Sequence, residues 1–317
     1  MKKFTLMLLI ICFSTGFFFA GNSFAKTSLK IAFLPIIDVL PYYIADSSGY
    51  FSDDNLSVKA LIVANPVARN RLMQSGEIDG MLNELSSLAL FNRDKINLKA
   101  VMTVRKPISV SPYFRIIAAP KSNITTVQDL KGIPIAVSKN TIIEYLTDRI
   151  LLSEGLSSEF IITKNVPVIP ERFQLLMRGK IKAATLPDPL AQAAIKAGAI
   201  PVIDDLSFPQ FSLSVISFTS SIVDNNPKAI TGFVSGWNRA VADLNSNPES
   251  FRKLFLEKIR VPENIQNTFK IPQFPTAQIP GKEQWQDVIE WLNDKKLLDH
   301  DPGYNKSVTG LFVQPRN

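Results

Sequence analysis

Side chains able to grip a small molecule collect where short apolar runs give way to helical patterns. Ile37, Asp38, Tyr42 and Tyr43 follow the run that ends at Leu34, Asn65 follows the next run, and Asn83, Glu84 and Ser86 follow a third. Further along, Ser138, Lys139, Asn140 and Thr141 occupy one such junction, Asp188 sits between two prolines in another, and Tyr113 precedes an apolar run. Amides, hydroxyls, carboxylates and phenols in loops suit hydrogen bonding and ring stacking, which is the chemistry of recognition. Bond-making chemistry would need a base, a nucleophile or a metal set, and the chain is poor in these. Its one histidine, His300, lies in a Lys/Asp-rich tail, and its one cysteine is Cys12. It has no G-x-S-x-G, no phosphate loop and no paired His/Glu spacing, so no catalytic residue, cofactor or metal is expected.

These residues need elements to position them, and the elements alternate. Leu29–Leu34, Leu56–Val63, Ile78–Leu82 and Leu98–Val104 read as strands; Leu40–Ser47, Val67–Gln74 and Leu85–Phe91 read as helices. A βαβα order of this kind predicts a mostly parallel sheet with helices on both faces. In open α/β sheets ligands lie beyond the carboxyl ends of the strands, where loops enter helices, and that rule selects the residues named above. Each also has a plainer role. Asn65, Asp188 and Thr141 suit helix caps, Asn83 can end a strand, and one of Tyr42 and Tyr43 must face the core, since helical neighbours point about 100° apart. Asp38 can cap a helix or pair with a ligand amine. With Asp38, Glu84 and Asp188 near the cleft and Lys139 as the base beside them, the balance favours an amine-bearing or neutral polar ring stacked on tyrosine.

Asn65-Pro66, Asp188-Pro189, Asn226-Pro227 and Asn247-Pro248 each place a capping side chain before proline, which predicts a helix start. Thr141-Ile142-Ile143-Glu144 has the form of a capping box. Arg69, Leu72, Gly76 and Ile78 recur as Arg172, Leu175, Gly179 and Ile181, each displaced by 103 positions. Both copies read as helix, glycine stop and strand, as two halves built on one unit would. After Val215 the pattern becomes helical: apolar stripes run from Ile230 to Leu244, Phe251 to Ile259 and Trp285 to Leu292. Ile271–Pro275 reads as a proline-punctuated surface strap.

Lys2 and Lys3 precede an apolar run from Phe4 to Phe19, and Ser23-Phe24-Ala25 offers small residues where a signal peptidase reads. The run is shorter than the ~20 residues that span a bilayer, so residues 1–25 are expected to be a cleaved secretory signal and the mature chain to lack cysteine. The net charge of +7 is spread along the chain without basic tracts, which argues against nucleic acid as a partner.

Phe33 to Ala45, then Gly49-Tyr50-Phe51 and Leu56-Ser57-Val58, resemble the opening of one receptor family. Ser75-Gly76-Glu77-Ile78-Asp79-Gly80 resembles its second signature. Val127-Gln128-Asp129-Leu130-Lys131-Gly132 with Ile135-Ala136-Val137-Ser138 resembles the third. The family is that of nitrate/sulfonate/taurine and thiamine-precursor binding proteins of ABC importers. The resemblance implies an α/β, two-lobed, type II periplasmic-binding-protein fold with two hinge-crossing strands and a ligand cleft between the lobes. Residues 26–115 and 216–317 would form lobe 1 and residues 116–215 lobe 2, with Arg115–Ala119 and Leu213–Phe218 as the strands able to carry the crossings. It implies a periplasmic monomer that takes a small-molecule ligand to importer permease subunits and meets the membrane only through them. The alternatives are an enzyme on the same fold, similar to thiamine-pyrimidine synthases or menaquinone-pathway lyases, and a receptor coupled to a membrane sensor.

Overall fold

The computed structural model describes residues 26–108 and 111–313; the expected signal peptide, residues 1–25, lies outside them. Two five-stranded sheets form the framework. The first contains β1 (Thr27–Phe33), β2 (Leu56–Ile62), β3 (Gly80–Asn83), β4 (Leu98–Arg105) and β10 (Ser214–Thr219). The second contains β5 (Phe114–Ala118), β6 (Ile135–Val137), β7 (Thr163–Asn165), β8 (Ala183–Pro187) and β9 (Ile200–Asp204). The helices of the first half are α1 (Leu40–Ser47), α2 (Tyr50–Asp53), α3 (Pro66–Gln74), α4 (Leu85–Phe91), α5 (Ile142–Ser153) and α6 (Ile169–Met177). They are followed by α7 (Leu190–Lys196), α8 (Ser220–Asn225), α9 (Pro227–Ser246), α10 (Arg252–Lys258), α11 (Lys282–Asp294) and α12 (Tyr304–Ser307).

The sheets have matching strand orders, β2-β1-β3-β10-β4 and β7-β6-β8-β5-β9. In each, three strands run parallel and the fourth runs antiparallel to both neighbours. That fourth strand is supplied by the chain just after it crosses from the other sheet: β4 leads into β5, and β9 leads into β10. The expected boundaries at 115/116 and 215/216 therefore fall inside β5 and β10, and the crossings are the segments that precede these strands. This is a two-lobed α/β architecture.

Burial on both faces explains why the strands are continuous apolar runs. Along β1, Leu29, Ile31 and Phe33 enter one core cluster while Ala32 enters another. The stripe of α9 (Ile230, Phe233, Val234, Trp237, Val241 and Leu244) is buried throughout. Gly236 on that helix admits the Phe51 ring, since a Cβ there would stand 2.8 Å from its Cδ1. Ile271–Pro275 departs from the expected surface strap: Ile271 and Phe274 are buried in the first core cluster, because a segment without a regular partner is held by its apolar side chains.

Asn65 caps α3 by accepting from the Ala68 amide at 3.0 Å, and Asp188 accepts from the Gln192 amide at 3.1 Å. Asn226 and Asn247 precede helices as expected but make no side-chain cap bond. Thr141 caps α5 through the Ile143 amide, and Glu144 reaches back to the Asn140 amide. The capping box is thus shifted by one residue.

The repeat at 103 positions is carried by hydrogen bonds as well as by residue types. Arg69 donates to the Leu82 carbonyl at 2.9 Å, and Arg172 donates to the Thr185 carbonyl at 2.7 Å, both pairs separated by the same interval. Gly76 and Gly179 end their helices with φ of 72° and 64°, a left-handed turn that glycine enters without strain.

Candidate functional site

Two adjoining cavities open between the sheets. The larger, about 180 Å³, has Leu34, Ile36, Asn65 and Pro66 from the first lobe on one side. Pro167, Ile169, Pro187, Asp188 and Pro189 from the second lobe face them, with Arg260 at the rim. The smaller, about 40 Å³, is lined by Asn83, Glu84 and Tyr113 against Ser138, Thr141 and Ile142. The sheet topology explains this convergence: Leu34, Asn83, Ser138 and Pro187 stand at the ends of β1, β3, β6 and β8, whose carboxyl edges face one another.

Of the residues selected from sequence, Asn65 and Asp188 line the larger cavity, and Asn83, Glu84, Tyr113, Ser138 and Thr141 line the smaller. Ser86 lines a third, minor cavity of about 10 Å³ with Glu84, its hydroxyl buried without a partner among the described residues. Ile37, Asp38, Tyr42, Tyr43 and Asn140 line neither of the two main cavities. Ile37 is wholly buried, and Tyr42 is the tyrosine turned inward, packed on Phe33 and Phe51 with its hydroxyl donating to the Val58 carbonyl. Tyr43 is half-buried near Lys258, and Asn140 is exposed, with φ of 60°.

The acids that favoured a cationic ligand are already paired. Asp38 is fully buried and accepts from the Tyr113 hydroxyl, from Ser214 Oγ at 2.6 Å and from Arg105 at 3.4 Å. Glu84 holds Arg69 at 3.0 Å, and Asp188 holds Arg115 at 3.0 Å. The sequence reading counted Lys139 as the base beside the cleft because these arginines lie in a helix or at strand positions distant along the chain. Folding delivers one guanidinium to each acid, and the expected excess of negative charge disappears.

Asp38 is instead part of the joint between the lobes, since Tyr113 lies on the first crossing and Ser214 at the end of the second. Burial beside Asp38 raises the Tyr113 phenol well above its usual 10, so it remains a proton donor. Asp205 completes the joint by accepting from the Tyr113 and Phe114 amides at 2.8 and 3.0 Å. Burial raises its carboxyl to about 6. A further contact braces the same edge. Helix α11 packs on α4 in the first lobe and reaches α5 in the second, where Asp287 accepts from Tyr145 and Arg149. Asp148 accepts from the Trp291 indole at 2.8 Å and from Lys295 at 2.7 Å. Gln284 donates to the Gln210 carbonyl on the second crossing.

Two cations beside the cavities were not among the site residues selected from sequence: Arg172, which entered only through the repeat, and Arg260. Arg260 is exposed at the rim without a hydrogen bond or ion pair among the described residues. Arg172 is fully buried and donates to the Val166 and Thr185 carbonyls and to Ser138 Oγ, all of them neutral acceptors. Desolvation pulls its pKa down to about 9, which leaves it charged at neutral pH. Its recurrence at the Arg69 interval was a usable signal. Among the described residues, no group of three or more His, Cys, Asp or Glu side chains is placed to hold a metal ion, and no helix is long and apolar enough to cross a membrane.

Solved structures of similar shape place this geometry in context. The ligand-binding component of an ABC-type import system from Staphylococcus aureus, with zinc bound, superposes with a TM-score of 0.76 at 13% identity, over 91% of this chain and 98% of that one. The periplasmic aliphatic sulphonate binding protein SsuA from Escherichia coli gives 0.72 at 19% identity, over 87% and 94%. The desulfurization enzyme DSZB gives 0.69 at 14% identity, over 91% and 98%. These likenesses establish the two-lobed periplasmic-binding-protein fold. None of the curated proteins matches the chain in sequence. The NMT1/THI5-like family pattern matches residues 36–251, more than half of the chain, and the protein therefore belongs to the NMT1/THI5-like family.

Proposed function

We propose that this protein is an extracytoplasmic solute-binding receptor: its lobes, approximately 26–115 with 216–317 and 116–215, close on a small organic molecule and present it to the permease of an ABC importer. The observation that carries this reading is the cavity of about 180 Å³ walled by strand-end loops of both lobes. A guest touching both walls favours the closed arrangement by its differential affinity for it. The sulphonate receptor and the import component among the structural neighbours support the same reading. Export through the signal at residues 1–25 and action as a periplasmic monomer complete the proposal.

The test is a thermal-shift screen of organic acids, amides, amines and heterocycles, followed by calorimetry and small-angle scattering on any hit. A ligand at 100 times its Kd adds about 2.7 kcal/mol to stability, and closure reduces the radius of gyration. A screen without hits, or binding without compaction, overturns the receptor reading. The likeness to DSZB supports a second reading, an enzyme on the same fold. Turnover of a bound hit by the purified protein would favour it.

A further inference from the structure

The lobes touch on both faces of the second sheet, and the two contacts differ in kind. Along β5, Ile116 and Ala118 enter the cluster that holds Leu146 and Ile150 of α5. Ile117 enters the cluster that holds Ala191 and Ala194 of α7, so α5 and α7 lie on opposite faces. On the α5 face the fastening is charged: Arg149 donates to Asp287 at 3.0 Å and Lys295 to Asp148 at 2.7 Å. On the α7 face it is made by the segment from Ile259 to Phe269, whose regular structure is a single 3-10 turn, Glu263–Ile265. Among the described residues, one polar bond joins this segment to the second lobe: Asn264 Nδ2 donates to the Ala193 carbonyl at 3.0 Å.

The segment is anchored in the first lobe. Ile259, Val261, Ile265 and Phe269 are buried in that lobe's core cluster, and Arg252 donates to the Phe269 carbonyl at 2.7 Å. Its hold on the second lobe is slight. Ala193, wholly buried, and Phe173, half-buried, are the second-lobe side chains that join the cluster among the described residues. Open space borders the contact at each end. Ile259 and Arg260 wall the chamber of about 180 Å³, and Thr268 and Phe269 wall another cavity, of about 210 Å³, against Asp188 and Gln192. Atoms that face a void lack partners on that side, so little dispersion energy resists separation here. The single hydrogen bond is neutral, and charge-assisted bonds such as those on the α5 face are about twice as strong. Breaking it strands nothing: the Ala193 carbonyl keeps the Ala197 amide at 3.0 Å, and Asn264 is exposed to water.

We infer that Ile259–Phe269 is a latch, which seats on α7 as the lobes close, shuts that flank of the larger chamber, and parts from α7 when they open. The segment travels with the first lobe, while the contact between α5 and α11 stays made throughout. Asn264 and Ala193 thus set how long the closed arrangement lasts without reaching into the chamber themselves. The inference rests on the receptor reading and deepens it by naming what holds the lobes together.

Residues 26–317, the expected mature chain, contain no cysteine, so an introduced thiol reports on its own site. Ala193→Cys lies under the segment, whereas Ala194→Cys is equally buried but belongs to the second lobe's own core. With iodoacetamide the first should react about tenfold faster or more, because lifting the segment costs less than unfolding the lobe. Asn264→Ala should quicken it by about fivefold, the size of one neutral hydrogen bond, without altering the second. Asn267→Ala, at an exposed neighbouring position, should change neither rate, and circular dichroism checks that every variant is folded. Spin labels at Val67 and Glu171, exposed beside the chamber prolines Pro66 and Pro170, should shift to longer distances in Asn264→Ala. Labels at Ser153 and Asp294, across α5 and α11, should keep their separation. Equal reaction of the two thiols, rates indifferent to Asn264→Ala, or faster reaction without separation of Val67 from Glu171 overturns the latch. None of these readouts needs a ligand, so a screen without compacting hits sinks the receptor reading while the thiols and spin labels judge the latch separately.

Discussion

Arg69 and Arg172 occupy equivalent places in the two lobes. Each rises from the helix before the third parallel strand, each is buried, and each donates to the carbonyl 13 residues further on. Among the described residues only Arg69 has an acid beside it. A repeated framework can hold its shape with the guanidinium as a bracket between helix and strand, and the carboxylate is a separate addition made in one copy. The two lobes thus share the bracket and differ in its counter-ion.

Removing each bracket should show the difference most strongly. Arg69→Met strands Glu84 as a buried, uncompensated carboxylate, and the expected loss is about 3–5 kcal/mol in urea unfolding. A loss below 1 kcal/mol would mean that the pair is solvated. The joint between the copies comes next. The buried acid of Asp205 titrates near 6 when folded against 3.8 in the reference state, so the native protein holds a proton that the unfolded chain has released between those values. Its contribution is greatest below pH 4, declines as pH rises to 6 and is flat above, a change of roughly 3 kcal/mol. Unfolding midpoints of the wild type and Asp205→Asn across that range should diverge accordingly; parallel curves would exclude the shift. Arg172→Met is expected to cost less than Arg69→Met, about 1–2 kcal/mol, because it leaves neutral acceptors unpaired and no charge. Equal losses at the two arginines would break the comparison. Smallest and equal in both lobes should be Gly76→Ala and Gly179→Ala, about 1 kcal/mol each from positive φ, since open space surrounds both positions. Unequal values would show that the helix stops differ.

Local order was the legible part of the chain. Helices α1 and α4 have the bounds read from sequence, Leu40–Ser47 and Leu85–Phe91, because apolar spacing and flanking residues act within a few positions. The repeat was legible too, down to residues that make matching hydrogen bonds. What sequence concealed was the pairing of charges. Asp38 meets Arg105 across 67 positions and Asp188 meets Arg115 across 73, separations that no local pattern encodes. Counting acids in loops without the arginines of helix and strand therefore overstated the negative charge at the cleft. Residues at the strand ends were placed correctly as neighbours of a cavity where the rule concerned backbone topology, as at Asn83, Ser138 and Asp188. The rule said less about side chains that turn inward, as at Ile37 and Tyr42.

The brace between α5 and α11 limits how the halves can shift. Two covalent strands by themselves would permit both swinging and shearing. With Asp287 gripping Tyr145 and Arg149, and Lys295 gripping Asp148, a third fastening lies along the same edge. Sliding one sheet past the other would have to break these polar bonds at a partly exposed seam. Helix α11 thus works as the upper pin of a door, and shortening the chain before it would leave a leaf that wobbles in its frame.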